Sequence, residues 1–289
     1  MTKLGYAATV GLAAALATSS LWAADVRKEV RLEIAPGGTL NIFNNGGSVN
    51  LHSDNGRQLV VVYTEHSDKV EVDQSVTPDK RRVEFHTHTI ADQKPTSDEA
   101  RVDYDVTVPR GIFVAVSGAS STIVADNMSG DLNLSSDTGQ ITVRNVYLSH
   151  IKVRSVAAPI TLSSINNSTV DIITTAGAVE LSNVYGPKAK VKAGTASGNI
   201  TYKGDCAGGG EYSFTTHSGA IDVFMPETAS VDLTAHTDSG TLQTDFAFTK
   251  KVHTYLHDKP GSSLVGTSNS GLSSLELRTF SGKIRVKKQ

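Results

Sequence analysis

Three acidic residues raise the question of catalysis. Asp171, Glu180 and Asp222 each sit between two apolar residues in a short alternating phrase. A pair of carboxylates held roughly 5–10 Å apart is what glycoside hydrolysis requires, one as acid and the other as base or nucleophile. Residues so distant in sequence can meet only across stacked chain segments, so a polysaccharide-active enzyme depends on the fold. The nine histidines pose a metal question of the same kind. His86 and His88 alternate along one segment and so share a face, while His253 and His257 flank Thr254-Tyr255-Leu256. Neither pair has a third ligand close in sequence, and two imidazoles alone make a poor metal site. Cys206, the one cysteine, lies in Gly204-Asp205-Cys206-Ala207-Gly208-Gly209-Gly210. One thiol makes no internal disulfide. Without a base partner it reads as a free thiol in a turn, or one that dimerises on oxidation.

Other chemistries lack their residues. There is no Walker-type loop, no G-x-G-x-x-G after a strand and no G-x-S-x-G elbow. Net charge is −2, from 27 Lys+Arg against 29 Asp+Glu. Nucleic-acid binding needs a clustered basic surface. The nearest candidates, Lys188, Lys190 and Lys192 and the run Lys283, Arg285, Lys287 and Lys288, read as solvated strand faces and a charged edge. No catalytic residue, metal, cofactor or nucleic-acid partner is expected.

The elements that carry these residues repeat. A phrase led by glycine recurs at Gly139, Gly177, Gly198, Gly219, Gly240 and Gly282, with Ala158 standing in for glycine in one copy. Successive anchors lie 19, 19, 21, 21, 21 and 42 residues apart. The last step reads as two units with a degenerate coil around Gly261 between them. Apolar residues sit seven and five positions before each anchor and two and four after it. Of these 28 inward positions only Thr244 is neither apolar nor aromatic, and all 14 positions between them are polar. Alternation of period two marks half-buried strands. A unit of about 20 residues cannot bury its own apolar side, whereas stacked units share one core. The expected fold is therefore all-β: a β-solenoid or β-helix of about 20-residue coils, preceded by a less regular β segment. Eight coils at about 4.8 Å would make a rod of roughly 35–40 Å. Glycine at each corner is expected to supply φ > 0. A β-sandwich of regular hairpins is the competing all-β arrangement.

Residues 25–110 form the less regular segment and 111–289 the solenoid. Strands are expected at 59–64, 69–73, 82–89 and 101–108, with 91–100 as an exposed loop. Residues 1–24 read as a signal peptide: Lys3, an apolar stretch Leu4–Ala17, and a cleavage site near Ala23 and Ala24. That stretch is too short to span a bilayer, which takes about 20 residues. A retained N-terminal anchor is the alternative. Nothing later is apolar enough to cross as a helix. The only tryptophan, Trp22, lies in this segment, which removes the commonest sugar-stacking side chain from the rest.

The outward positions form two candidate binding rows. One runs through Thr142, Thr161, Glu180, Thr201, Asp222 and Gln243, the other through Lys152, Asp171, Lys192 and Thr234. Glu180, Asp222, Gln243 and Arg285 interrupt what would otherwise be a threonine ladder suited to ice.

The repeated Ser-Gly-x-[Ile/Val/Leu]-x-[Val/Leu] phrase, the opening Pro36-Gly37-Gly38-Thr39-Leu40 and the lead-in Val106-Thr107-Val108-Pro109-Arg110-Gly111 together resemble the bacterial DUF4097 family of GIN-type β-solenoids, which carries an adhesin label. The resemblance covers roughly residues 30–289. It implies an extracytoplasmic β-solenoid without a known active site, and it supplies no catalytic or ligand residues. Some members look like parts of envelope-stress signalling. The expectation is an exported, non-catalytic module that binds an envelope or surface ligand, protein or glycan, in the periplasm or at the cell surface. The alternatives are a stress sensor that binds a peptide or lipid, a polysaccharide-active enzyme, and a structural spacer.

Overall fold

A computed structural model describes residues 25–187, 189–206, 208–251 and 261–289. The signal-peptide segment, Lys188 and the His253/His257 pair lie outside the described residues. The lead-in strands are β1 (Val26–Glu33), β2 (Thr39–Phe43), β3 (Ser48–Asp54), β4 (Gln58–Glu65), β5 (Val70–Val76), β6 (Arg82–Thr89) and β7 (Val102–Pro109). Regular coils follow as β8 (Phe113–Gly118), β9 (Thr122–Asp126), β10 (Leu132–Ser136), β11 (Ile141–Tyr147), β12 (His150–Ser155) and β13 (Ile160–Asn166). They continue through β14 (Thr169–Thr174), β15 (Val179–Tyr185), β16 (Lys190–Thr195), β17 (Ile200–Lys203), β18 (Glu211–Thr216) and β19 (Ile221–Met225). The chain closes with β20 (Val231–Thr237), β21 (Leu242–Thr244), β22 (Thr249–Lys250), β23 (Ser262–Ser268), β24 (Ser273–Thr279) and β25 (Ile284–Lys288). Among the described residues no helix is long and apolar enough to cross a membrane.

The strands form two sheets facing one core, as the alternation requires. Sheet 1 has 12 strands in the order β1-β4-β7-β3-β9-β11-β13-β15-β17-β19-β25-β21. Sheet 2 has 13, in the order β22-β23-β20-β24-β18-β16-β14-β12-β10-β8-β2-β6-β5. A rung is one sheet 2 strand and the sheet 1 strand that follows it round a corner. Ten parallel rungs stack as β6–β7, β2–β3, β8–β9, β10–β11, β12–β13, β14–β15, β16–β17, β18–β19, β24–β25 and β20–β21. Nine spacings of about 4.8 Å put the end rungs about 43 Å apart. One continuous apolar core runs from Ile34 to Val286, so strands from 25–110 and from 111–289 share both sheets and one interior.

Both ends are re-entrant. After β19 the chain lays down β20–β21 one slot too far. It returns as β23, antiparallel to β20, and then fills the empty slot with β24–β25. The 42-residue step is therefore an insertion, and the expected degenerate coil is absent. Residues 262–268 cannot serve as one, because their inward side is Ser262, Leu264, Gly266 and Ser268. So small a side closes a sheet edge rather than filling a core. The other end mirrors this: β2–β3 is laid first and β6–β7 is placed outside it. Antiparallel β4 and β5 then cover that rung, and β1 covers β4. Outermost β1 carries Arg27, Lys28, Glu29, Arg31 and Glu33, charges that discourage edge-to-edge pairing.

The corner glycines are required for a reason other than the one expected. Gly139, Gly177, Gly198, Gly219, Gly240 and Gly282 do not have positive φ. They form a column in which a Cβ on each would lie far inside contact distance of a carbonyl in the neighbouring corner: Gly198 O for Gly219, Gly219 O for Gly282, Gly282 O for Gly240. Close backbone approach, not left-handed conformation, excludes a side chain. Ala158 is the exception, and its corner differs. Ala157 and Ala158 both donate to Asp137 O, at 2.8 and 3.2 Å. Before Gly177, Gly198, Gly219 and Gly282 the two residues preceding the glycine make this bond, as His217 and Ser218 do to Ala196 O. The pattern has slipped by one residue to admit the methyl group.

Three residues before each anchor lies a buried hydroxyl whose oxygen accepts the anchor's N–H. Thr174 serves Gly177, Thr195 serves Gly198 and Thr216 serves Gly219, each at 3.0 Å; Thr237 and Thr279 serve Gly240 and Gly282 at 2.9 Å. Thr216 also donates to Gly198 O at 3.3 Å, so each hydroxyl links two rungs. Thr216→Val keeps the shape but strands the buried N–H of Gly219. It should cost about 1–3 kcal/mol, read as a lower urea midpoint at unchanged m-value. Thr216→Ser should keep most of the stability.

Candidate functional site

The first candidate row becomes a physical column on sheet 1. Thr142 pairs with Thr161, Thr161 with Glu180, Glu180 with Thr201, and Thr201 with Asp222. The insertion then places Arg285 between Asp222 and Gln243. Arg285 grips Asp222 with Nε on Oδ1 and Nη2 on Oδ2. A bidentate fork of this kind fixes both side chains. The flanking outward positions are small in the middle rungs, with Ser163 and Ser182 on one side and Pro159 and Ala178 on the other, and long towards the ends, with Arg144 beside Ser163 and Lys203 beside Ser182. The result is a column of polar side chains in register, with the Asp222–Arg285 ion pair next to its last member, Gln243.

The second row lies on sheet 2. Lys152, Asp171 and Lys192 are neighbours across three rungs. Ser213 and Glu276 then separate Lys192 from Thr234. This arrangement removes the carboxylate cluster on which a polysaccharide-active enzyme depended. Asp171 is on the opposite sheet from Glu180 and Asp222, Thr201 stands between those two, and Asp222 is engaged by Arg285. The three therefore do not gather into one cluster, and the one same-sheet pair, Glu180 and Asp222, has Thr201 between its members.

A group of titratable side chains meets in the lead-in segment. His66 Nε2 is 2.7 Å from Asp103 Oδ2 and His66 Nδ1 is 3.0 Å from Asp25 Oδ1. Ser48 donates its N–H and its hydroxyl to Asp103 Oδ1, at 2.7 and 2.9 Å. Burial alone would raise Asp103, but the bonds from His66 and Ser48 outweigh it and hold the carboxyl below its usual range. Both ring nitrogens of His66 face carboxylates and the serine faces the aspartate. No imidazole therefore faces the hydroxyl, whose partner is a carboxylate held below its usual range, and the group reads as a clasp holding the start of β1 to β7. His86 and His88 do share a face, with ring centres 6.1 Å apart, and Asp73 Oδ2 lies 3.5 Å from His88 Nδ1. Among the described residues no group of three ligands is arranged to hold a metal ion.

Cys206 does sit in a turn, with φ +48°. Its thiol is buried rather than presented, which overturns dimerisation on oxidation. Its N–H donates to the Tyr202 hydroxyl at 3.3 Å, and the Tyr202 ring packs edge-on against Tyr212. Burial pushes the thiol from 9.0 up to about 12, and it also raises the phenols of Tyr104, Tyr202 and Tyr212 above their ordinary 10.0. Each is an acid kept neutral in the fold, so the unfolded chain loses these protons first as pH rises. The stability they contribute is complete below about pH 9 and declines as pH climbs through 9–12. A series of thermal melts from pH 7 to 11 should show this fall. A thiol reagent at pH 8.5 should label Cys206 only after denaturation.

Sequence reasoning missed the second corner. Asn127, Asn145, Ser164 and Asn183 all have φ between 51° and 58° and stand 18, 19 and 19 residues apart. Each is a bulge: Arg144 and Asn145 both face outward, and Val146 is turned back into the core. Asn tolerates this conformation, so its recurrence at coil spacing was a readable signal. Directly after the bulge come Tyr147, Asn166 and Tyr185, paired in register and pointing outward.

The sequence model of the Toastrack DUF4097 family matches residues 29–287. The chain belongs to that family. A search of the curated proteins finds no match. Among solved structures, a "putative cell adhesion protein" from Clostridium sporogenes is 13% identical, with TM-score 0.29, covering 91% of this chain and 100% of its own. A "putative adhesin" from Bacteroides fragilis is 10% identical, with TM-score 0.42, covering 91% of this chain and 97% of its own. Another from Parabacteroides merdae is 8% identical, with TM-score 0.30, covering 91% of this chain and 96% of its own. For the Toastrack chain described here, the match takes in both re-entrant ends as well as the regular coils.

Proposed function

We propose that this Toastrack chain is an exported, non-catalytic, adhesin-like module that binds a component of the cell envelope. The observation that carries the reading is the in-register polar column Thr142, Thr161, Glu180, Thr201, Asp222, Arg285 and Gln243 on one sheet face. Such a face makes many weak contacts at a fixed spacing, and their sum gives avidity without a pocket. The apolar segment Leu4–Ala17 behind Lys3 supports export.

Labelled residues 25–289, which hold every strand of the stack, would be incubated with intact cells, isolated envelope and extracted polysaccharide, with heat-unfolded protein as control. Saturable binding to one fraction is expected. The double variant Thr161→Lys, Thr201→Lys should weaken it several-fold without changing the melt. Binding no greater than the control in every fraction would leave a spacer or a sensor of a periplasmic protein partner.

A further inference from the structure

A strip of exposed apolar side chains runs along the second corner, away from the polar column. Tyr147 is 57% exposed, Leu148 55% and Tyr185 40%. Leu148 has φ +53°. Asn167 and Gly186 hold the same position in the next two rungs, with φ +51° and +120°. Those two types accept the left-handed region, whereas a bulky side chain there costs about 1–3 kcal/mol. A strained leucine turned out into water adds nothing to the core. Tyr147 and Tyr185 point the same way two rungs apart, on the order of 10 Å, with Asn166 in register between them. Around the corner on sheet 2 is a groove of about 400 Å³ whose lining includes Phe113, Asp131, Asn133, His150, Lys152 and Thr169.

We propose that this ridge binds an extended β-1,4-linked glycan lying along the stack axis. In such a chain successive sugars are flipped, so the same pyranose face recurs every second residue. Two outward tyrosines offset by two rungs, on the order of 10 Å, present their rings at a comparable repeat. Each phenol ring offers a flat apolar body with a polar tip, and the groove supplies carboxylate, amide, imidazole and ammonium groups for sugar hydroxyls. A protein partner would favour a compact apolar centre with a polar rim, which a line of rings with an amide between them does not offer. The inference rests on the binding-module reading but uses a different face.

The test is calorimetric titration of residues 25–289 with chitohexaose, cellohexaose and, as an α-1,6-linked control, isomaltohexaose. One or both β-1,4 hexaoses should bind saturably and the control should not. Tyr147→Ala with Tyr185→Ala should weaken binding about tenfold or more, whereas Tyr147→Phe with Tyr185→Phe should retain it. Because both side chains are exposed, the melts should stay unchanged. Absence of binding by either hexaose, equal binding of the control, or undiminished binding by the double alanine variant overturns the inference. Envelope binding that persists in that variant would leave the polar column as the binding face. Envelope binding lost without any hexaose affinity would assign the ridge to a protein and equally overturn the glycan.

Discussion

A cysteine pair made by Ser213→Cys and Glu276→Cys is expected to close into a disulfide under mild oxidation, and a pair made by Ser213→Cys and Thr234→Cys is not. In chain order β20 follows β18, and a sequential solenoid would set Thr234 beside Ser213. In the re-entrant stack β24 lies between them, so Ser213 pairs with Glu276 and Glu276 with Thr234. Neighbouring strands hold paired Cα atoms about 4.8 Å apart, within the 4.4–6.8 Å range a disulfide spans; two rungs, about 9.6 Å, lie outside it. All three side chains face outward, so oxidant reaches them, and buried Cys206 does not compete. Non-reducing electrophoresis and peptide mapping read the result as nearly all or none. Closure of the second pair and not the first would mean that the coils stack in sequence order.

Gly219→Ala, one added methyl group at a buried corner, is expected to lower the melting temperature well beyond the effect of a change at its exposed neighbour Ser218. The added methyl would meet Gly198 O and Gly198 C, and the Thr216 hydroxyl that holds the corner is 2.9 Å from its position. Neither rung can back away, because β19 is bonded in register to β17 on one side and β25 on the other. Overpacking of this kind costs about 2–3 kcal/mol, or roughly 5–10 °C for a chain this long. Ser218→Ala, one residue away and exposed, should move the melt by a degree or two at most. A drop no larger than that for Gly219→Ala would mean the corner can slip by one residue as it does at Ala158. That outcome would remove close approach as the reason for glycine.

The sequence alone was informative wherever a residue's surroundings repeat from coil to coil. Inward and outward sides followed from alternation, and Thr142, Thr161, Glu180, Thr201 and Asp222 fell into one column because each is the same step from its anchor. The order of the last two rungs was not legible. The phrases at Gly240 and Gly282 have the same glycine, the same hydroxyl three residues earlier and similar inward side chains, so either could sit next to Gly219. What separates them is the hairpin of β22 and β23, whose inward side is too small for a coil; that difference appears only when 262–268 is weighed for volume. For the same reason Arg285 was missing from the candidate row. Its place beside Asp222 comes from the insertion, not from the period. The corner glycines were placed correctly and explained wrongly, since close approach between rungs leaves no trace in a single strand's pattern.

The re-entrant end also sets a problem of timing. A chain emerging from a ribosome or a translocation pore presents residues 231–244 before residues 273–288 exist. The nascent β20–β21 then finds the open edge of β18–β19, with a corner that accepts it, and rests there in sequence order. That arrangement buries apolar surface and is one rung short. To reach the final stack the nascent chain must open this contact, admit β24–β25 and close again. Wherever β20–β21 docks before β24–β25 has emerged, assembly passes through a late rearrangement, and a chaperone that holds residues 231–268 aside until the next segment has emerged would spare the molecule the detour.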